Sequence, residues 1–333
     1  MRRVGNIVDM RMLFALGVLI VACGTSSSAW CGNKDLWEAY DSGGGVVSYK
    51  PSQLKKTGTP KPTALSTFID ASGLAFDKSN NLWVVEDGKT VAEFSAAQLK
   101  SLKKNSDPTP IVTITSAATF GFLFGCNFDP QGNLWLADYT HDSIYELSAA
   151  QLRGGSGDVT PAIVISSGSL DGPNFVTFDS SGNAWVDDEN HGGKLLEFTS
   201  NQLTSGGAKT PQVVISDDGS GTSLFAPGEI AFDKSGNLWV PNYDADTVVE
   251  YAKSQLSNSG NPAPIVKLTS AAFDGPFGAV LDSKGNLWVA NYNDQQIDKF
   301  AASQLGSSGS PTPAVTLTGP ATQNYQIIFG PAS

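Results

Sequence analysis

Short runs in which apolar and polar residues alternate recur along most of this chain, separated by clusters of Gly, Asn, Asp and Ser. One unit shows the pattern: GAVLD (278–282), a turn at Ser283-Lys284-Gly285-Asn286, then LWVANY (287–292). Asn293-Asp294 turn the chain again into QIDKF (296–300), and AVTLT (314–318) closes the unit. Alternation with a period of two, broken by turn-forming residues, predicts short antiparallel strands, four to a unit.

The centre of the unit is written five times, beginning at Phe76, Phe128, Phe178, Phe232 and Leu281, as in FDKSGNLWVPNYD from Phe232. Its tryptophans, Trp83, Trp135, Trp185, Trp239 and Trp288, are 52, 50, 54 and 49 residues apart. A period near 50 built from short strands predicts propeller blades rather than a helical solenoid. The glycines at 132, 182, 236 and 285 answer the positive φ of a tight hairpin, and Asn80 takes that place in the first copy. The aspartates at 77, 129, 179, 233 and 282 are placed to accept amides within the same turn. The repeated tryptophans are expected in the seams between blades, where a large flat side chain fills a wedge.

Each third run is followed by a Gln-Leu phrase, as in SAAQL (95–99, 148–152), TSNQL (199–203), AKSQL (252–256) and AASQL (301–305). This predicts a short helical turn whose leucine plugs the outer end of the blade. Pro110, Pro161, Pro211, Pro264 and Pro313 then open the fourth run, expected to be an edge strand, where a missing N–H does least harm. The segment 36–66 has Trp37, VVSY, Gln53-Leu54 and Pro62 but no preceding first strand, and YQIIFGPAS (325–333) supplies one. The fold expected is therefore all-β: a six-bladed β-propeller of four-stranded blades over 33–333, closed by joining the C-terminal strand to the N-terminal ones.

The first residues follow another rule. Arg2, Arg3 and Arg11 precede the apolar run MLFALGVLIVA (12–22), shorter than the roughly 20 residues that span a bilayer. Residues 1–22 are expected to be a signal peptide and 23–32 a short tether. Ile20-Val21-Ala22-Cys23 resembles the bacterial lipobox, which implies lipid on Cys23 and a place in the cell envelope; Gly24 after it points to the outer membrane or cell surface. Cleavage after Ser28-Ala29 is the other reading and would leave the protein periplasmic or secreted. Cys31 and Cys126 are then the candidate disulfide pair, and the sequence does not fix pairing.

Loss of residues 1–22 removes Arg2, Arg3, Arg11 and Asp9, taking the formal charge from −11 to −13 and leaving Arg153 as the one arginine. Binding a phosphate backbone needs several cations, so nucleic acid is excluded as a partner. Any membrane contact is expected through the lipid on Cys23 alone.

Around the LWV phrases the chain resembles the NHL-repeat propellers and the six-bladed group that includes the gluconolactonase/regucalcin and virginiamycin B lyase families. That resemblance implies a ligand site at one mouth of the central channel. The mouth positions are Ser72, Phe124, Asn174, Gly228, Phe277 and Tyr325, followed by Gly73, Gly125, Phe175, Glu229, Gly278 and Gln326. The lactonase likeness further implies a divalent metal on the axis, for which only Asn174 and Glu229 offer oxygen. Blade three is the odd copy, reading Asp187-Asp188-Glu189-Asn190-His191, the densest set of oxygen donors and a candidate cation site, calcium included. His141 and His191 lie six residues after their tryptophans and, with Glu229, are the candidate catalytic groups of an enzyme reading; loop-forming roles explain both histidines equally. Tyr139, Tyr243, Tyr292, Phe122, Phe124, Phe277 and Tyr325 give the mouth an aromatic lining. They suit a sugar, a peptide or a small apolar ligand, and suit equally a plug packed against itself. The leading expectation is a monomeric binding scaffold for an unidentified small molecule, glycan or envelope protein, with no required cofactor; the alternative is a metal-dependent, lactonase-like hydrolase or lyase.

Overall fold

The computed structural model describes residues 34–40, 45–66, 70–102, 107–190, 192–319 and 324–330. The segments expected to be a signal peptide and a tether, with Cys23 and Cys31, and His191 lie outside the described residues. The described chain forms six sheets, each with four antiparallel strands, arranged as a six-bladed propeller.

Blade three shows the common plan. Pro173–Phe178 lies innermost, followed outward by Ala184–Asp188, Lys194–Phe198 and Val213–Ser216. The sixth blade joins both ends of the chain: Asn324–Gly330 pairs antiparallel with Asp35–Tyr40, with Leu36 opposite Phe329 and Trp37 opposite Ile328. Closure by hydrogen bonds leaves the ring without an open joint, where a propeller would otherwise expose strand edges.

The turn chemistry is as expected. Gly132, Gly182, Gly236 and Gly285 have φ between 77° and 90°, and Asn80 has φ 63°. In each hairpin the aspartate accepts amides from residues two and four further on, as Asp233 Oδ1 does from Ser235 and Asn237, both at 2.8 Å. The Gln-Leu phrase forms a short α-helix at Ala96–Lys100 and Ala149–Arg153, and 3₁₀ turns in the other blades. Its leucines, 54, 99, 152, 203, 256 and 305, are all buried.

The core is divided into six seams. Five of them place a tryptophan edge-on to a phenylalanine of the next blade, at centroid distances of 5.7 to 6.3 Å: Trp37–Phe76, Trp83–Phe128, Trp135–Phe178, Trp185–Phe232 and Trp288–Phe329. Such a pair adds about 1 kcal/mol beyond the area it buries.

The fourth strands are not the open edges expected. Gly157–Asp158 adds in parallel to Val112–Thr115, and Gly207–Ala208 adds to Ile163–Ser166. Parallel bridges Gly260–Ile215, Gly309–Leu268 and Gly58–Leu317 repeat the arrangement. After five of the helical turns the Gly/Ser-rich stretch thus reaches back over the preceding blade, and Pro110, Pro161, Pro211, Pro264 and Pro313 stand two residues ahead of the strand they were expected to open.

Candidate ligand-binding mouth

At the axis the innermost strands approach so closely that side chains are largely excluded. A Cβ on Gly228 would stand 2.2 Å from the Phe277 carbonyl oxygen, and one on Gly125 would stand 2.0 Å from the Phe175 ring. The rings that do enter fill the axis together. Phe124, Phe277 and Tyr325 pack mutually at 5.1 to 6.0 Å between centroids, and Phe175 lies 5.9 Å from both Phe124 and Phe277.

The network continues outward to the surface of the mouth. Tyr292 meets Tyr325 at 5.4 Å and Tyr243 at 5.3 Å, while Tyr139 and Phe122 meet Phe124 at 6.2 and 5.8 Å. Phe175 and Phe277 are buried, the outer rings are part-exposed, and Phe122 and Phe225 are each 40% exposed. The aromatics thus form a self-packed plug below and a set of part-exposed rings above.

Two inter-blade clasps brace the platform. The Tyr139 hydroxyl donates to Asn190 Oδ1 at 3.4 Å across Gly172, and the Tyr243 hydroxyl to Asn293 Oδ1 at 3.1 Å across Gly275. Gly172 and Gly275 have φ of 76° and 66°, which leaves room for the facing tyrosine ring. Ala226 holds the corresponding place in blade four with φ 49°, a strained conformation for a residue with a Cβ.

The acids of blade three separate into three roles. Asp188 accepts from the Asp171 amide at 2.9 Å, and burial raises its pKa to about 7. Asp138, Asn242 and Asn291 hold the corresponding amides of Gly121, Phe225 and Asp274, so the third residue after each of these tryptophans ties down the loop leading into the blade. Glu189 faces the mouth, in the electrostatic range of Tyr139, Tyr243 and Asp244, and accepts from Asn174 Nδ2 at 3.2 Å. Burial raises its pKa.

Asp187 is the true departure. It stands where the other intact blades carry Val85, Ala137, Pro241 and Ala290. Fully buried, it has a pKa raised well above the carboxylate range by burial, and further by Glu229, with the backbone amides of Asp187 and Phe175 pulling the other way.

Glu229 is a pin between blades. Its Oε1 accepts from Gln326 Nε2 at 2.7 Å, and the amides of Ile327 and Ala279 also bond its carboxyl group. The side-chain Oε1 of Gln326 in turn accepts from the Leu74 backbone amide. Burial nevertheless raises the Glu229 pKa to about 8, and Oε2 has no partner.

At the axis, Asn174 Oδ1 and Glu229 Oε2 are buried without a partner, beside the buried Asp187 carboxyl. Calcium requires about six to eight oxygens. Among the described residues no group of three or more His, Cys, Asp or Glu is placed to hold a metal, and glycines and aromatic rings occupy most other axial positions. This donor set does not fit the axial metal centre implied by the lactonase resemblance.

The histidine that can be placed is a loop former. His141 Nδ1 donates to the Thr119 carbonyl at 3.0 Å and lies 3.3 Å from Asp138 Oδ2, with half of the side chain exposed. Cys126 is a buried free thiol on the inner strand of blade two, with its pKa pushed up by burial.

No protein-family model matches this chain, and no curated protein matches it by sequence. Solved structures do. A chain of the nidogen/laminin complex superposes with a TM-score of 0.61 at 16% identity, covering 88% of this chain and 97% of that one. A protein of unknown function from Bacteroides caccae gives 0.60 at 12% identity, over 89% and 98%. Virginiamycin B lyase from Staphylococcus aureus gives 0.52 at 13%, over 82% and 83%. At such identities the likeness is one of fold, and the fold is the six-bladed propeller.

Proposed function

We propose that this protein is a ligand-binding propeller, displayed in the cell envelope, that captures its ligand on the aromatic mouth. The observation that carries the reading is the continuous contact of Phe122, Phe124, Tyr139, Tyr243, Tyr292 and Tyr325, a platform of part-exposed rings on a rigid frame. Beside it the part-exposed Glu189 offers acceptor oxygen, so the ligand that fits has a flat apolar face and outward hydrogen-bond donors. A saccharide has both.

The hydrolase or lyase alternative, with Glu229 as its acid or base, has less support. Glu229 is 5% exposed and bound by donors from blades five and six, so substrate reaches it only by displacing the rings. The test is saccharide binding by the purified protein, on a glycan array and then by calorimetry, beside Tyr243→Ala and Tyr292→Ala. Loss of each ring is expected to weaken binding about tenfold with the melting point kept. An array without a saccharide ligand, or binding indifferent to both substitutions, overturns the reading. Turnover of a lactone that disappears in Glu229→Ala while the fold stays intact would establish the alternative.

A further inference from the structure

Five seams of the ring are closed by a tryptophan against a phenylalanine, and one is not. Phe76, Phe128, Phe178, Phe232 and Phe329 end the innermost strands of their blades, opposite Leu82, Leu134, Ala184, Leu238 and Leu36. Leu281, opposite Leu287, holds the same place in blade five. Its partner across the seam is Trp239, and among the described residues no aromatic ring packs against that indole.

A cavity of about 300 Å³ opens at this seam, with Trp239, Leu281, Ala302 and Leu305 among its apolar walls. It is lined by the hairpin turns of blades four and five, whereas the aromatic mouth is built on the loops leading into the blades. A leucine that fails to cover an indole leaves dispersion contacts unmade, and interiors seldom leave such a space empty.

We propose that this cavity is a second ligand site, one that accepts a single aromatic ring bearing a hydrogen-bond donor, such as a phenol or an arylamine. The ring takes the edge-on place that phenylalanine fills in the other five seams. The volume lies at the lower end of small-molecule pockets and holds one ring with a short substituent. The polar part of the wall selects a donor: Asp233, Glu250 and Asp282 line it, and the one cation there, Lys234, donates its Nζ to the Ser283 carbonyl at 2.9 Å. Asp233 and Asp282 use both oxygens within their own hairpins, Oδ1 for backbone amides and Oδ2 for the side chains of Asn237 and of Asn286 and Trp288 respectively. Glu250, which accepts from Asn237 through Oε1 at 2.9 Å, brings a second oxygen to the site.

The test is titration of the purified protein with 4-fluorophenol, read by fluorine line broadening, beside fluorobenzene as the ring without a donor. Saturable binding with a Kd of about 1 mM is expected, about tenfold weaker for fluorobenzene. Leu281→Phe restores the missing ring and is expected to weaken 4-fluorophenol binding at least about tenfold while raising the melting point. Leu281→Met, which fills the space only in part, keeps the test informative if the phenylalanine overpacks. No saturable binding by 4-fluorophenol, or binding unchanged in both variants, overturns the proposal. Equal affinity for fluorobenzene overturns the donor requirement. None of these outcomes depends on the aromatic mouth.

Discussion

Replacing Glu229 by Gln should make the protein's stability less sensitive to pH, and the size of the change follows from its burial. The carboxyl group has a pKa near 8 in the fold, against a reference of 4.5. A raised pKa means that the folded state prefers the neutral acid. The stability this contributes is therefore complete below about pH 4.5, falls as pH rises through the interval, and is gone above the folded pKa. A gap of 3.5 between the two values corresponds to about 5 kcal/mol, of which about 4 lies between pH 5 and 8.5. At roughly 2 °C per kcal/mol for a chain of this size, that is a melting-point difference of roughly 8 °C. Glutamine keeps the shape and an acceptor for Gln326 and cannot ionise. Thermal and urea melts of both proteins at pH 5, 7 and 8.5 measure the difference directly. The native protein should lose more stability than the variant on going to alkaline pH. Glu38 and Glu86, both raised to about 7 by burial, remain in each protein and cancel in the comparison. Parallel stability curves would show that Glu229 is ionised in the fold and that its three donors outweigh burial, which refutes the reasoning.

Two further outcomes test the axis. Gly228→Ala should destabilise the protein by about 3 kcal/mol in urea melts, because its Cβ would stand 2.2 Å from the Phe277 carbonyl oxygen and the backbone there cannot yield. Replacing EDTA with millimolar calcium should move the melting point by less than about 1 °C, because the orphaned axial oxygens fall short of a calcium shell. A rise of several degrees would place a bound ion among Asn174, Asp187 and Glu229.

The ring, its closure and the hairpin turns were legible because each is dictated locally. A glycine with positive φ, an aspartate two residues ahead of the amide it accepts and the recurring tryptophan each carry their reason within about ten residues, and five copies remove the ambiguity. Long-range consequences were less legible. The covering of the fourth strands by Gly157–Asp158 and Gly207–Ala208 depends on where the next blade's loop lands, which no local pattern encodes. Blade three's acids looked alike in sequence and proved different in place. Asp188 follows the rule that Asp138, Asn242 and Asn291 also obey, Glu189 faces the mouth, and only Asp187 breaks the pattern, with an ionisable group where four other blades are apolar.

The same comparison yields Leu281. Its difference from phenylalanine is printed in the sequence as the first letter of LDSKGN against FDKSGN, yet as a swap of one apolar residue for another it looks neutral. It gains meaning only when Trp239 is seen across the seam with nothing edge-on to it. A closed repeat supplies its own reference state: each blade is what its neighbours would be without local demands. Departures that conserve character, as at Asn80 for glycine, are accommodations of the fold. Departures that leave a group unsatisfied are different in kind, because the fold bears their cost. Asp187, a carboxyl buried at the axis, and the seam at Trp239 that lacks its phenylalanine among the hairpin turns of blades four and five are of that second kind. The two lie on different elements, so substitutions at one should leave ligand binding at the other unchanged.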